Sequence, residues 1–337
     1  MNRFNTAVLM FLSAAICILP DAYPRNFTEK DHPDTLLDFD KAVQSASEVT
    51  CDVYPDADDV LVDDYVYVTY NADGTSITTD DTYVKVLTEK GKRSNKTMSR
   101  HFNQVYGSVE YLLVEVIKPD GTRRKIDIDK NSSVAVSRGQ MSMNIYNPNR
   151  KVLTVSIPNL EISDTIHYIV RHRTEKARVK NTWADLQVFE YTSPIKHYIY
   201  EIQGPAQRPL KSIALKDPVP GKITSQTKTL KHIRIYRWEV KDMPRMFREP
   251  RMPSLYTVAA RLLVSTASSW EEISRWYYNL SEPHLKKTTD KMKTKVAELV
   301  RGRKTMQEKI EAVFYYVSQE VRYMGLTLEK ESPGYEP

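Results

Sequence analysis

Cysteine and glycine are scarce in this sequence: 337 residues contain 2 Cys and 10 Gly. Cys17 lies in the apolar stretch at the start, so loss of that stretch leaves Cys51 alone and excludes an internal disulfide. Stability must then come from a buried core. No glycine-rich phosphate loop is present, because Gly91 and Gly107 stand singly, and no serine has the G-x-S-x-G setting of a hydrolase elbow. The histidines are His32, His101, His167, His172, His197, His232 and His284, and no two have helical metal spacing. His167 and His172 are five apart on one expected strand and so point to opposite faces. The acidic run from Asp56 to Asp64 lacks a central glycine and is broken by Val60, Leu61 and Val62. That excludes the common calcium loop and reads as a solvated loop. Around Cys51 there is no neighbouring cation, imidazole or helix start of the kind thiolate chemistry needs, and it reads as a structural cysteine. No catalytic, cofactor-binding or metal-binding residue is assigned, and no cofactor is expected.

Long apolar runs are also missing. Residues 1–22 read as a signal peptide: Arg3 supplies the positive start, Val8 to Leu19 the apolar stretch, Pro20 its end and Ala22 a cleavage point. The run is shorter than the roughly 20 residues a spanning helix needs. An uncleaved anchor is the alternative; a lipidated Cys17 is disfavoured by the bulky Ile16 before it. The expectation is an exported protein, periplasmic or extracellular, with no transmembrane segment once the signal is removed.

What is present suits strands. The chain is 41% hydrophobic, with 18 Pro and 21 Tyr. Its net charge of +6 is mild, with acids gathered early and bases at Lys286 to Lys304. Such asymmetry can signal an anionic partner, but a solvated helix face explains it better. No nucleic-acid partner is expected.

Residues 23–45 read as a polar lead-in, in which Leu36, Leu37, Phe39 and Val43 could dock as a short helix. Period-two alternation then marks a strand over 61–70, a turn at Asn71, Asp73 and Gly74, and a strand through Tyr83, Val84, Val86 and Leu87. Leu112, Val114 and Val116 mark another, turned back by Pro119, Asp120 and Gly121. Leu153, Val155 and Ile157 share one strand face, as do Ile166, Tyr168 and Val170, and these two sets should be buried together. Further strands are expected at 197–202, 230–240 and 256–264. The tyrosines and bases at 191–200 and 230–238 read as cover for a core or sheet face, with stacking on sugars or bases as the alternative. No helices alternate with the strands, so an antiparallel, sandwich-like β domain is expected over 46–265. Helical periodicity starts at Ser268, which forms a capping-box pair with Glu271. Trp270, Ile273, Trp276, Tyr277 and Leu280 share one face up to Pro283. Met292, Val296, Leu299 and Val300 mark a second helix stopped by Gly302. Thr305 and Glu308 cap a third, whose stripe of Met306, Ile310, Val313, Phe314, Val317 and Val321 is the clearest in the chain. Ile310, Phe314 and Val317 are expected to pack inward.

Several segments together resemble a known family. Tyr67 to Gly74, Val86 to Gly91 and Val116 to Thr122 resemble the β-rich domain of unknown function that precedes transglutaminase-like domains in exported bacterial proteins. Val264 to Thr266, Ser269 to Glu272, and Trp276 with Tyr277 resemble the junction into the second domain. Lys309 with Ile310, Phe314 to Val317, Val321 to Tyr323 and Gly334 to Pro337 resemble that domain's early part. The resemblance implies a papain-like α+β second domain, of which 266–337 would be an incomplete helical start. It also implies a Cys, His and Asp triad, which this sequence does not reach. The expected function is therefore a non-catalytic front portion, an interaction or scaffold module, of such a protein. The alternative is a separate envelope module that binds glycan or peptide.

Overall fold

The computed structural model describes residues 26–143, 145–322 and 325–326. The signal reading of 1–22 and the segment Gly334 to Pro337 lie outside them. The strands, in chain order, are β1 (Asp59–Tyr70), β2 (Ser76–Val86), β3 (Thr97–Asn103), β4 (Gly107–Ile117), β5 (Arg123–Lys125), β6 (Ser132–Val136), β7 (Ile145–Tyr146), β8 (Arg150–Ser156), β9 (Thr165–Thr174), β10 (Ala184–Val188), β11 (Ile195–Pro205), β12 (Ser212–Lys216), β13 (Ile223–Leu230), β14 (Ile233–Met243), β15 (Arg261–Ser265) and β16 (Gly325–Leu326). The helices are α1 (Phe39–Ser47), α2 (Glu89–Asn95), α3 (Ile128–Asn131), α4 (Leu255–Val258), α5 (Trp270–Leu285), α6 (Asp290–Leu299) and α7 (Met306–Gln319).

Eight strands form one large sheet in the order β13-β14-β11-β1-β2-β9-β4-β5. All its pairings are antiparallel except one: β1 and β11 run parallel in the middle, Tyr65 opposite Ile199 and Val68 opposite Ile202. The expectation of a wholly antiparallel domain is corrected there. More than a hundred residues separate the two strands, so no local pattern announces the pairing. The β1–β2 hairpin turns through residues 71–75, where Gly74 takes φ +88°, a left-handed conformation glycine adopts without strain.

Two three-stranded sheets cover one face of the large sheet. The sheet β10-β15-β12 brings Leu262 and Val264, with Trp183 and Phe189 beside them, onto Val66, Val68, Tyr198, Tyr200 and Trp238. The sheet β3-β8-β6 brings Met98, Leu153 and Val155 onto Tyr111, Val114, Val116, Ile166 and Val170. Leu153, Val155 and Ile157 are thus buried with Ile166 and Val170 as expected, and Tyr168 packs against them. The opposite face is covered by α1 and the segment before it: Ala42, Ala46 and Val49 meet Val60, Val62, Tyr83 and Ile117. Leu37, Phe39 and Val43 pack there too, so the polar lead-in does dock as a short helix. Asp38 starts that helix by accepting a bond from the Lys41 amide at 3.0 Å.

A β-bulge between Leu61 and Asp63 changes what β1 alternation means. Val60 and Val62 face the helix-covered side, whereas Asp64, Val66, Val68 and Tyr70 face the sheet-covered side. An unbroken run of even-numbered buried positions therefore serves two opposite faces.

The C-terminal region departs further from expectation. Residues 255–258 form α4 rather than strand, and only 261–265 pair as β15. The cap of α5 is Ser269, which accepts from the Glu272 amide, one residue beyond the expected pair; Ser268 instead binds the Glu272 carboxylate. Pro283 lies within α5, in its last turn. The capping box of Thr305 and Glu308 is formed. No residue of α5, α6 or α7 is buried. Ile310, Phe314 and Val317 are 56%, 63% and 53% exposed, so their expected inward packing is not found. The physical reason is that an amphipathic stripe specifies a need for cover but not its source. Both faces of the large sheet are already covered by other elements.

Phe189 is fully buried and Phe314 is not, which gives a paired prediction. Phe189→Ala should cost about 3–5 kcal/mol. Phe314→Ala should leave the thermal midpoint nearly unchanged. Thermal unfolding of both variants, followed by circular dichroism, checks it.

Candidate binding site

Charged residues occupy both faces of the sheet at its centre, where β1, β2 and β9 run side by side. On the helix-covered face, alternation puts Asp81, Tyr83, His167, Arg171 and Glu115 together. His167 is bonded through Nδ1 to Glu115 at 2.8 Å and through Nε2 to Asp81 at 2.9 Å. Arg123 holds Glu115 with two bonds, Nε at 3.0 Å and Nη2 at 2.8 Å. Asp81 also accepts the Leu36 and Leu37 amides at 2.7 and 3.0 Å. Tyr83 stacks on the imidazole, 4.0 Å between ring centres. Beside them Arg171 donates to Glu29 and to the Pro33 carbonyl, and His32 bridges Thr69 and Thr79 at 2.8 and 3.1 Å.

The electrostatics agree with a closed network. Burial opposes charge on Glu115, but the bonds from His167 and Arg123 outweigh it and hold the carboxyl down to about 2. Burial likewise opposes protonation of His167, yet its two carboxylate partners raise its pKa. His32 has no such partners; burial, reinforced by Arg171, lowers it to about 4, so it stays neutral. These groups satisfy one another, with the segment before α1 as their lid. The arrangement is structural.

The sheet-covered face holds a different cluster. Between the two apolar clusters there, β1 and β2 present Asp64, Asp80 and Thr82. The Thr82 hydroxyl lies 3.0 Å from Asp64 Oδ1 and 2.6 Å from Asp80 Oδ1. Arg100, from β3, pairs with Asp80 at 3.5 Å. Its guanidinium sits 5.2 Å from the Tyr168 ring centre and 6.0 Å from that of Tyr111. Tyr111 stands edge-on to Tyr168 at 6.3 Å. Tyr191 and Tyr198 come from the other side, close enough to feel the charges of Asp64 and Asp80. Burial, and then the neighbouring Asp80 charge, push the Asp64 carboxyl well above the usual carboxylate range. Of the two carboxyls, Asp64 is the one whose neutral form is favoured. Burial lowers His172, on the same face, to about 4.

This second cluster is not closed. Tyr111 is 6% exposed, and among the described residues no group bonds its hydroxyl. A buried hydroxyl without a partner is uncommon and requires an explanation. Solvent reaches the cluster, since the side chains of Arg100 and Asp80 are 26% and 19% exposed. Elsewhere a cavity of about 340 Å³ is lined by Tyr54, Pro55, Pro194, Met243, Pro244 and Arg245 among others. It is mostly apolar and gathers less chemistry.

Of the residues singled out from sequence, His167 and His172 do lie on opposite faces. Cys51 is an exposed free thiol whose Sγ contacts the Leu87 carbonyl at 3.5 Å. The acidic run is not uniformly solvated: Asp64 is only 7% exposed, because the strand begins at Asp59 and carries it into the sheet. Tyr198, Tyr200, Tyr236 and Trp238 do cover a core. Asp80, Arg100 and Tyr111 were not distinguishable in the sequence. Their one local signal is that polar Asp80 and Thr82 occupy the strand positions in line with apolar Val84 and Val86.

The fold is that of a β-rich domain whose large sheet is clad on both faces. The chain belongs to the family described as Domain of Unknown Function with solved-structure structure (DUF3857), whose match covers residues 72–247, slightly more than half of the chain. A putative protease from Parabacteroides distasonis is similar in structure, with a TM-score of 0.64 at 18% identity, over 77% of this chain and 50% of that one. The chain thus spans half the length of that protein. The M1 zinc metallopeptidase from Deinococcus radiodurans and native leukotriene A4 hydrolase from Saccharomyces cerevisiae match at TM-scores of 0.31 and 0.30. Their identities are 10% and 11%, over 61% and 62% of this chain and 42% and 29% of theirs, too low to define a shared fold. No curated protein matches the chain.

Asp64 supplies a test of the cluster. Its raised pKa means that the folded state binds the proton more tightly than the unfolded chain does. The stability this gives is present below the unfolded value near 3.9 and is lost as pH rises through the folded value. Asp64→Asn should therefore raise the thermal midpoint by a few degrees at pH 7 to 8 and leave it unchanged near pH 3. Midpoints measured across that range decide it; equal gains at both ends would contradict the raised pKa of buried Asp64.

Proposed function

We propose that this chain is a non-catalytic binding and scaffold module of a transglutaminase-like protein exported to the periplasm or beyond. The observation that carries the binding role is the open cluster between the two small sheets, where a buried tyrosine hydroxyl, a carboxyl pair and a partly exposed arginine converge. Evolved cores close such networks, and the cluster on the opposite face is closed. Support for the transglutaminase-like context is the order of the segments from Tyr67 to Val321 and the exposed apolar stripes of α5 to α7, which suit elements of a second packed domain. The half-length overlap with a larger solved structure agrees with a module of a longer protein. The reading as a separate glycan or peptide module shares the same site and differs only in context.

Cysteine chemistry would have to use Cys51, and its hydrogen-bond contact is a backbone carbonyl rather than an imidazole. The purified chain should neither cleave amides nor transfer acyl groups, and Cys51→Ser should fold and bind like the parent. Assays of both reactions with both proteins test this. Activity that is lost in Cys51→Ser would place a catalytic centre in this domain and overturn the proposal.

A further inference from the structure

We propose that β13, the outer strand of the large sheet, pairs with β13 of a second copy of this chain, joining the two sheets antiparallel into one. This surface is separated from β1 and the Asp64 cluster by β14 and β11, and it does not depend on what that cluster binds.

A sheet edge exposes unpaired N–H and C=O groups, and proteins guard such edges with short strands, charge, proline or bulges. One end of the large sheet is guarded: β5 has three residues, Arg123, Arg124 and Lys125, all basic. The other end is not. β13 runs over eight residues, Ile223 to Leu230, in unbroken register with β14. It contains no proline, no glycine and one charge, Lys228. All of it except Ile223 is exposed, and among the described residues nothing pairs with its outer side. The edges of the small sheets are shorter: five residues at β6, β10 and β12, and seven at β3, which carries Arg100 and His101.

The pairing with β14 fixes which backbone groups are free. The Lys241 amide bonds the Lys222 carbonyl at 3.1 Å, and bonding alternates along an antiparallel strand. Even-numbered residues therefore turn to β14, while Ile223, Ser225, Thr227 and Thr229 turn their N–H and C=O outward. About a two-fold axis at Gln226 all four find partners. Ile223 meets the partner's Thr229 and Ser225 meets the partner's Thr227, each pair exchanging two bonds. Ser225 with Thr227 is a hydroxyl pair of the kind that stabilises neighbouring strands. The same register sets Lys228 opposite the partner's Thr224, so like charges do not face each other.

A foreign peptide has less to recognise. Strand addition draws its specificity from pockets that take alternate side chains of the added strand. The depression beside β13 is about 70 Å³ and is lined by Thr224, Ser225, Gln226, Arg237 and Glu239, with no apolar residue among them.

The test is sedimentation equilibrium of the whole chain at concentrations up to about 300 µM, since a one-strand contact is small and such interfaces are weak. The chain should dimerise reversibly. Proline is tolerated on an edge strand where its missing N–H faces solvent, so Thr227→Pro should keep the circular dichroism spectrum. It should raise the dimer dissociation constant at least about tenfold. Gln226→Lys sets two lysines against each other, and Gln226→Glu two glutamates. Each variant alone should be monomeric, and an equimolar mixture of the two should dimerise. A parent chain that stays monomeric throughout would overturn the proposal. A mixture no more associated than its parts would overturn the register. A dimer unmoved by all three substitutions would place the contact elsewhere and overturn this edge.

Discussion

The structure depends on how charge is handled at the centre of a sheet covered on both faces. Asp64, Asp80, Asp81, His167 and Arg171 all lie on the three middle strands, where water is largely excluded. An unpaired ion there costs several kcal/mol or shifts its protonation instead. Each face has found its own answer. On the helix-covered face, imidazole, guanidinium and carboxylates close on one another, and the backbone of residues 36 and 37 completes the set. On the other face, burial and the neighbouring Asp80 charge favour the neutral form of Asp64, Arg100 pairs with Asp80, and a tyrosine hydroxyl is left over.

That difference separates architecture from function. Buried polar groups that are fully satisfied hold a sheet and its lid in register. Buried groups left unsatisfied lower stability, and such losses concentrate where a molecule has something to bind. The closed cluster also explains why the segment before α1 folds at all. Apart from its apolar contacts, it brings two amides to Asp81 and Glu29 to Arg171, which the sheet could not otherwise satisfy.

Much of the architecture was legible. Strand positions followed from alternation at Leu153 to Ile157 and Ile166 to Val170, and the helix starts from capping residues near Ser269 and at Thr305. What escaped had long-range causes. The parallel pairing of β1 with β11 joins residues far apart in sequence. The bulge at Val62 keeps the alternation intact while reversing the faces, so no periodicity argument could place Asp64 beside Thr82. The same fact hid the site. An aspartate at the end of an acidic run looks solvated until the strand that carries it is paired on both sides. Amphipathic stripes on α5 to α7 were plain in sequence, but the sheet faces they might have covered belong to other elements.

The central claim is that the two clusters differ in kind, one closed and one open to a ligand. A high-resolution crystal structure of the chain tests it most directly. The account predicts His167 bonded on both sides by Asp81 and Glu115 with no solvent between. It also predicts ordered water or a bound small molecule within hydrogen-bond distance of the Tyr111 hydroxyl, beside Asp80 and Arg100. A Tyr111 hydroxyl bonded to another protein group, with side chains filling the space between the two small sheets, would contradict it.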